Sequence, residues 1–440
     1  MRQRVDATSV QRMPFRRGLV LVLVLALAVR VLTIVLTPGF TPETDALDYD
    51  RHGVTIAIEG SYPSTVLAPG GGPTAFRPPA MPVALGALYE VVGVDSERAR
   101  WRAGRILEAV LGTVAVALIA LIALRLWGPA AGLLSAFIAA LYPPLVLIGS
   151  SLMAEPLYIV LLLGAVLAAL MSRDARHPLR WAALAGGLAG LAALTRSNGL
   201  AVLLPLAVLV WAMRPRWSRR ALAAPAVLLA VTALVLAPWT VRNASVLEAF
   251  VPVSTQSGYA FAGTYNDEAR DHPRFPTIWV PPWRVEAMQT AYADRSLDEV
   301  ELSAELRDRA VDYVRDNPGY LAEVMGHNVL RLLNLEGPAI ERYLAPLEGY
   351  PVELVNVSVY AFWLLALVAV AGAFTRAARR APGALWGVPL FAALSCILFL
   401  GLTRYRSPAD PFLVMLASLA LLAAWERRHR PLPSPQWPRK

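Results

Sequence analysis

The feature that most constrains this chain is the recurrence of long apolar runs separated by short arginine-rich stretches. A helix needs about 20 predominantly apolar residues to cross the hydrocarbon core of a bilayer. Runs of that kind lie near 18–36, 105–124, 130–149, 155–172, 180–195, 199–213, 221–239, 352–373, 384–402 and 409–425. The 440 residues are 56% hydrophobic and 17% charged, against about 25% charged in a soluble domain. The expected fold is therefore an all-α integral membrane bundle with about ten transmembrane helices.

The formal net charge of +9 would suit a nucleic-acid partner, but the basic residues sit mainly between hydrophobic runs rather than on one soluble segment. They read as topology signals. With ten spans, the leader (Arg2, Arg4, Arg12, Arg16, Arg17), Arg125, and the arginines within 173–180, 214–220, 376–380 and 427–430 all fall on one side. That places both termini in the cytoplasm. No A-x-A-like cleavage site follows the first run, so a retained helix is expected rather than a removed signal peptide. The single cysteine, Cys396, allows neither a disulfide nor a cysteine-based zinc site within one chain.

The other side receives two large loops, 37–104 and 240–351. The organisation expected is a catalytic transmembrane module (1–239), an extracytoplasmic loop (240–351), and C-terminal spans with a cytoplasmic tail (352–440). The first loop opens with four acids (Glu43, Asp45, Asp48, Asp50), continues as a helix through Ala57, and ends in an apolar segment, 83–92, too short to span. In the second, Leu302, Leu306, Ala310 and Val314, then Leu321, Val324, Met325 and Leu332, mark two amphipathic helices on either side of Pro318. Nucleotide-binding glycine fingerprints, Walker loops and HExxH are missing from the sequence.

Ionisable groups at membrane depth or at its edge are costly, so each marks a functional position or a structural pair. Asp45 with Tyr49, Arg77, Glu155, Arg196, Arg242, and the pair Arg404 and Arg406 all map to the outer side. Asp45 suits a carboxylate that takes a proton from an attacking hydroxyl or amine, or orients it; an N-terminal capping role is the plain alternative. Arg77, held before Pro78, suits a phosphate clamp or a snorkelling interfacial arginine. Glu155, before Pro156, suits a second acid or a helix-start charge, and a structural ion pair with Arg196 is the default for those two. Outer-side arginines run against the positive-inside tendency, so Arg242, Arg404 and Arg406 call for an anionic partner, either a lipid phosphate or ordinary headgroups. Asp48 and Asp50 are expected on a solvated face. His52, His272 and His327 are scattered, and no metal site is assigned.

Taken in order, Asp45-x-x-x-Tyr49, Arg77-Pro78-Pro79-x-x-Pro82, Glu155-Pro156-Leu157-Tyr158, Leu194-Thr195-Arg196, Ala237-Pro238-Trp239-x-x-Arg242-Asn243, Val251-Pro252-Val253-Ser254-Thr255 and Arg404-Tyr405-Arg406 resemble the GT-C superfamily. The resemblance is to the membrane glycosyltransferases similar to protein O-mannosyltransferases and lipid A aminoarabinose transferases. It implies inverting transfer from a polyprenyl-phosphate sugar to an extracytoplasmic glycan, lipid or protein acceptor. Asp45 would be the catalytic carboxylate and Glu155 a second acid. Tyr49, Arg77, Arg196, Arg242, Arg404 and Arg406 would bind substrate, with the lipid-linked sugar as co-substrate and a divalent metal left open. Phe76 stands where some relatives carry an acid, and Gly263-Thr264-Tyr265-Asn266 matches a usual Gly-Asn only loosely, which leaves the acceptor open. Two other readings stay open: a transporter or flippase of a lipid-linked substrate, which would favour mid-bilayer charges and inverted repeats, and an inactive scaffold on the same fold.

Overall fold

The computed structural model describes residues 7–211, 218–348 and 352–429. Among them the only strand-like pairing is an isolated bridge between Ser64 and Pro73. The main helices run α1 (Ala7–Leu36), α2 (Thr44–Glu59), α3 (Ala80–Val92), α4 (Glu97–Trp127), α5 (Pro129–Leu141), α6 (Pro143–Ile148), α7 (Glu155–Ser172), α8 (Pro178–Thr195) and α9 (Leu203–Val210). There follow α10 (Arg219–Val246), α11 (Gln256–Thr264), α12 (Glu299–Asp316), α13 (Pro318–Leu332), α14 (Pro338–Leu344), α15 (Val352–Ala373), α16 (Gly383–Ile397) and α17 (Asp410–Arg428). The expected helix of the first loop is α2, and the two amphipathic helices of the second are α12 and α13.

Five helices are long and apolar enough to cross a membrane: Phe15–Leu36, Glu97–Trp127, Glu155–Ser172, Ala221–Val246 and Val352–Ala373. Shorter apolar helices occupy Ala80–Val92, Pro129–Leu141, Ser197–Val210 and Gly383–Ile397. Three of the ten apolar runs are thus not single long helices. The 130–149 run breaks at Tyr142, which adopts an extended conformation (φ −69°, ψ 111°) before Pro143, as the steric demand of a following proline requires. The 199–213 run splits into a 3-10 turn, Ser197–Val202, and α9. The 384–402 run ends its helix at Ile397. A further difference is that α10 continues past residue 239 to Val246, so Arg242 and Asn243 stand on its last turns.

A helix that stops inside an apolar slab exposes amides and carbonyls that must find partners within the protein. Buried side chains supply them. Between α6 and α7, Arg105 of α4 donates to the Ser150 carbonyl at 2.6 Å. Glu108, one turn on, accepts from the Ser151 and Leu152 amides at 2.9 and 2.6 Å. Beyond α16, Asn328 donates to the Ile397 carbonyl at 2.9 Å and accepts from the Gly401 amide at 3.0 Å. Thr264 and Tyr265 donate their hydroxyls to the carbonyls of Phe399 and Leu398. Residues of the 240–351 loop, at the end of α11 and on α13, thereby finish an apolar helix they do not belong to.

The two ends of the bundle differ. At one, Arg125 pairs with Asp174, Arg173 donates to the Leu209 carbonyl and the Trp127 indole to the Ala377 carbonyl, which gathers the arginine-rich connections together. Arg2, Arg4, Arg214, Arg216 and Arg430 lie outside the described residues. The broken helices and the loops 37–104 and 240–351 form the other end.

Small residues bring the helices together where dispersion contacts must substitute for hydrophobic driving force. On α8, Ala182, Ala185, Gly186, Ala189, Gly190 and Ala193 are buried at helical spacing, and a Cβ on Gly186 would lie 2.3 Å from the Leu228 carbonyl oxygen of α10. The neighbouring Gly187 meets only Val231 at 3.9 Å. Gly186→Ala is therefore expected to destabilise the protein by about 1–3 kcal/mol through overpacking, whereas Gly187→Ala leaves it unchanged or slightly steadier from helix propensity. Thermal unfolding in detergent distinguishes the two, and equal behaviour would contradict this packing of α8 on α10.

Candidate active site

At the broken-helix end, residues from five separate stretches form one array of alternating charge. Asp45 lies in the first turn of α2, pinned by its neighbour: Thr44 has φ 42° and donates its hydroxyl to the Leu347 carbonyl at 2.7 Å. A positive φ is uncommon for threonine and persists where surrounding contacts fix it. One Asp45 oxygen meets Nη2 of Arg77 at 2.6 Å and the other meets Nη2 of Arg404 at 2.7 Å.

Arg77 is buried and bridges two acids, since its Nε lies 2.6 Å from Asp48. Its guanidinium stands over the rings of Tyr49 (5.1 Å) and Phe76 (4.9 Å), and its carbonyl accepts the Tyr62 hydroxyl at 2.7 Å. Such a planar fork satisfied on both edges is held in one orientation. Arg404 lies over the Tyr405 ring at 4.9 Å, and Arg196 over the same ring at 4.6 Å. Arg196 in turn pairs with the buried Glu155. A continuous path therefore runs Glu155, Arg196, Tyr405, Arg404, Asp45, Arg77, Asp48.

The solvated face expected for Asp48 and Asp50 is not what forms. Asp48 is engaged by Arg77, by Arg51 at 3.1 Å and by His52. Asp50 is 2% exposed and is held by Arg100 at 2.9 Å and the Tyr89 hydroxyl at 2.9 Å. The reason is period: on α2, positions 45, 48, 49 and 52 share the face turned to Arg77, while Asp50 meets α3 and the start of α4.

Two predicted site residues stand apart. Arg242 donates to the Thr74 carbonyl at 2.7 Å and lies over the Trp239 and Tyr62 rings at 4.9 and 5.3 Å. It supports the stretch of chain leading to Arg77 rather than joining the charged array. Arg406 points into the bundle, where it meets Asp410 at 3.0 Å, the Leu332 carbonyl at 2.7 Å and the Phe362 ring at 3.5 Å.

Glu348 is the acid that the sequence reading missed. It is buried, with its carboxyl 3.3 Å from Nε of Arg404. It follows a short helix and precedes a span, with no motif around it. A cavity beside Arg404 is walled by Leu147 and Ile148 of α6, Val355 and Val359 of α15, and the polar residues Asn334 and Thr403. Asp45, Arg77 and Glu155 are not in its wall, so the cavity lies at one edge of the charged array. No group of three or more His, Cys, Asp or Glu side chains among the described residues is placed to hold a metal ion.

Electrostatics separate the acids. Burial alone would raise Asp45, but Arg77 and Arg404 overcome it and hold the carboxyl well below the usual range. Asp48 is depressed likewise, against burial, by Arg77 and His52. Burial dominates at Glu348, which is pushed up to about 8 despite Arg404. Burial also raises Tyr49 to about 12.

Residues 77–241 match the family described as dolichyl-phosphate-mannose-protein mannosyltransferase, a segment that includes Arg77, Glu155 and Arg196. No curated protein sequence matches the chain. The oligosaccharyltransferase of Archaeoglobus fulgidus in complex with zinc and sulfate superposes with a TM-score of 0.54 at 16% identity, over 93% of this chain and 49% of that one. The archaeal oligosaccharyltransferase AglB from the same organism, with an inhibitory peptide and a dolichol-phosphate, gives 0.54 at 16% over 93% and 51%. ArnT from Cupriavidus metallidurans bound to undecaprenyl phosphate gives 0.43 at 16% over 91% and 76%. The chain spans about half the length of the oligosaccharyltransferases it matches. The GT-C-like fold read from the ordered motifs is borne out, and the family resemblance is borne out over the matched segment.

The placement of Arg406 is testable without substrate. Arg406→Met leaves Asp410 buried without its cation and is expected to cost about 3–5 kcal/mol, with much of the loss recovered in Arg406→Met/Asp410→Leu. Thermal unfolding of the single and double variants checks this. A single variant as stable as the parent would contradict the pairing.

Proposed function

We propose that this chain, whose residues 77–241 carry the sequence pattern of the dolichyl-phosphate-mannose-protein mannosyltransferases, is a membrane glycosyltransferase. It moves a sugar from a polyprenyl phosphate to an acceptor on the extracytoplasmic side. The observation that carries the reading is Asp45, a carboxylate with a quarter of its side chain exposed, held between the guanidiniums of Arg77 and Arg404. In this reading the ten apolar runs are ten crossings, some of them broken or tilted, both termini are cytoplasmic, and the array faces outward. Gathering of the charges at one bundle end also favours this over a transporter, whose sites lie near mid-depth.

The chemistry follows from the charge arrangement. The acceptor hydroxyl or amine attacks the anomeric carbon from the side opposite the phosphate; the carbon–oxygen bond to phosphate breaks, the configuration inverts, and polyprenyl phosphate leaves. Negative charge grows on the departing phosphate, where a fixed guanidinium lowers the barrier. A carboxylate clamped by two arginines is a weak base, because its proton affinity has been lowered. A donor phosphate competes for those same guanidiniums, and each one drawn away from Asp45 raises its basicity. Asp45 therefore becomes an effective proton acceptor when the donor is in place, which limits the enzyme's idle chemistry. Glu155, fixed by Arg196, is the second acid and orients substrate hydroxyls. The outer loops around α11 to α14 form the acceptor side.

Asp45→Asn keeps the shape and removes the base. Transfer by purified protein from a polyprenyl-phosphate sugar is expected to fall by about 10²–10⁴-fold, with unchanged membrane insertion and a lowered unfolding temperature, because Arg77 and Arg404 lose the anion between them. Turnover in that variant equal to the parent's would end the proposal.

A further inference from the structure

Arg404 has unused capacity. Its Nη2 serves Asp45 and the Tyr405 hydroxyl, and its Nη1 approaches only the Met153 sulfur at 3.7 Å. Its Nε is buried without a hydrogen-bond partner, because the Glu348 carboxyl 3.3 Å away is not aligned to accept. A buried guanidinium N–H left unpaired is costly, and it is the edge that a tetrahedral anion would take in a bidentate grip. Arg404 also lines the cavity, where the buried Asn334 amide nitrogen lacks a partner.

We propose that Glu348 is a positioning residue that shares the Nε edge of Arg404 with the donor's phosphate: as a carboxylate it holds that edge, and as the neutral acid it yields it. The inference rests on the functional reading above. Glu348 is placed for such a role by the segment Ala345–Glu348, which the Thr44 hydroxyl fastens to the start of α2 next to Asp45. The charged groups that face it are Arg404, Asp45 at the start of α2, Glu341 on α14 and Glu155 at the start of α7. On α15, which follows it, Glu353 is exposed. Three carboxyls around one guanidinium disfavour a further negative charge, and burial adds to this, so Glu348 meets an incoming phosphate with a proton already in place near neutral pH.

The sign of the pH dependence follows. A phosphate that binds only the protonated form loses affinity as pH rises through the value for Glu348, about 8. Its apparent affinity scales with the protonated fraction, a change of about tenfold between pH 7 and pH 9. The probe is a short-chain polyprenyl phosphoryl-mannose, a phosphodiester that keeps one charge over this range, titrated into the full chain in nanodiscs. The parent is expected to weaken about tenfold and to take up a proton on binding at pH 9, read from the dependence of binding heat on buffer ionisation. Glu348→Gln is expected to bind with a flat profile and no proton uptake, and Glu348→Ala to do the same if glutamine disturbs folding. A parent-like pH profile in either variant would overturn the role of Glu348. Failure of the parent to bind the phosphodiester at any pH would instead overturn the functional reading itself.

Discussion

A backbone that leaves the helical path within a hydrocarbon slab has no water to bind, and the rest of this protein depends on how that demand is met. The chain breaks its helices between α6 and α7, before α9 and after α16, and these breaks lie at the same bundle end as the charged array. Arg105 and Glu108 from α4, and Asn328 from α13, take up the released amides and carbonyls. Irregular backbone at this depth is tolerated where protein or a cavity lines it. The shortened helices leave room for Arg196, Arg404 and Glu155 to reach one place. Cation placement and helix breakage are thus one structural solution.

The array has the logic of a site that balances its charges internally. Arg77 and Arg404 share Asp45; Arg77 also holds Asp48, and Arg196 holds Glu155. Burying two charges is expensive, and mutual attraction repays it only with good geometry and further hydrogen bonds. Here the shared guanidinium bridges and ring contacts supply them. Such an arrangement is also exchangeable, since any anion presented to a guanidinium competes with a carboxylate of similar size.

Much of this was legible in the sequence because hydrophobic runs and arginine placement are long-range signals. The spans 18–36, 155–172, 221–239 and 352–373 correspond to helices, and α2, α12 and α13 follow their apolar stripes. Asp45, Arg77, Glu155, Arg196 and Arg404 were each identified by a charge standing where charge is costly. What escaped was anything set by tertiary contact. The proline pair at Pro143-Pro144 was there to be read, and it divides the 130–149 run. Asp48 and Asp50 looked solvent-facing because their cations, Arg77 and Arg100, come from other parts of the loop. Glu348 carries no local signature, and its meaning comes only from Arg404, 56 positions onward. Arg406 lies two residues from Arg404, yet serves the bundle through Asp410.

Tyr405 carries a consequence beyond its own position. Its single ring receives guanidiniums from α8's end and from the stretch before α17, so two cations from distant parts of the chain take their bearings from one small plane. A tilt of that plane would re-aim both at once. The alignment of the site is therefore inherited together rather than piece by piece, and drift in the surrounding loops can leave the aim of its cations unchanged.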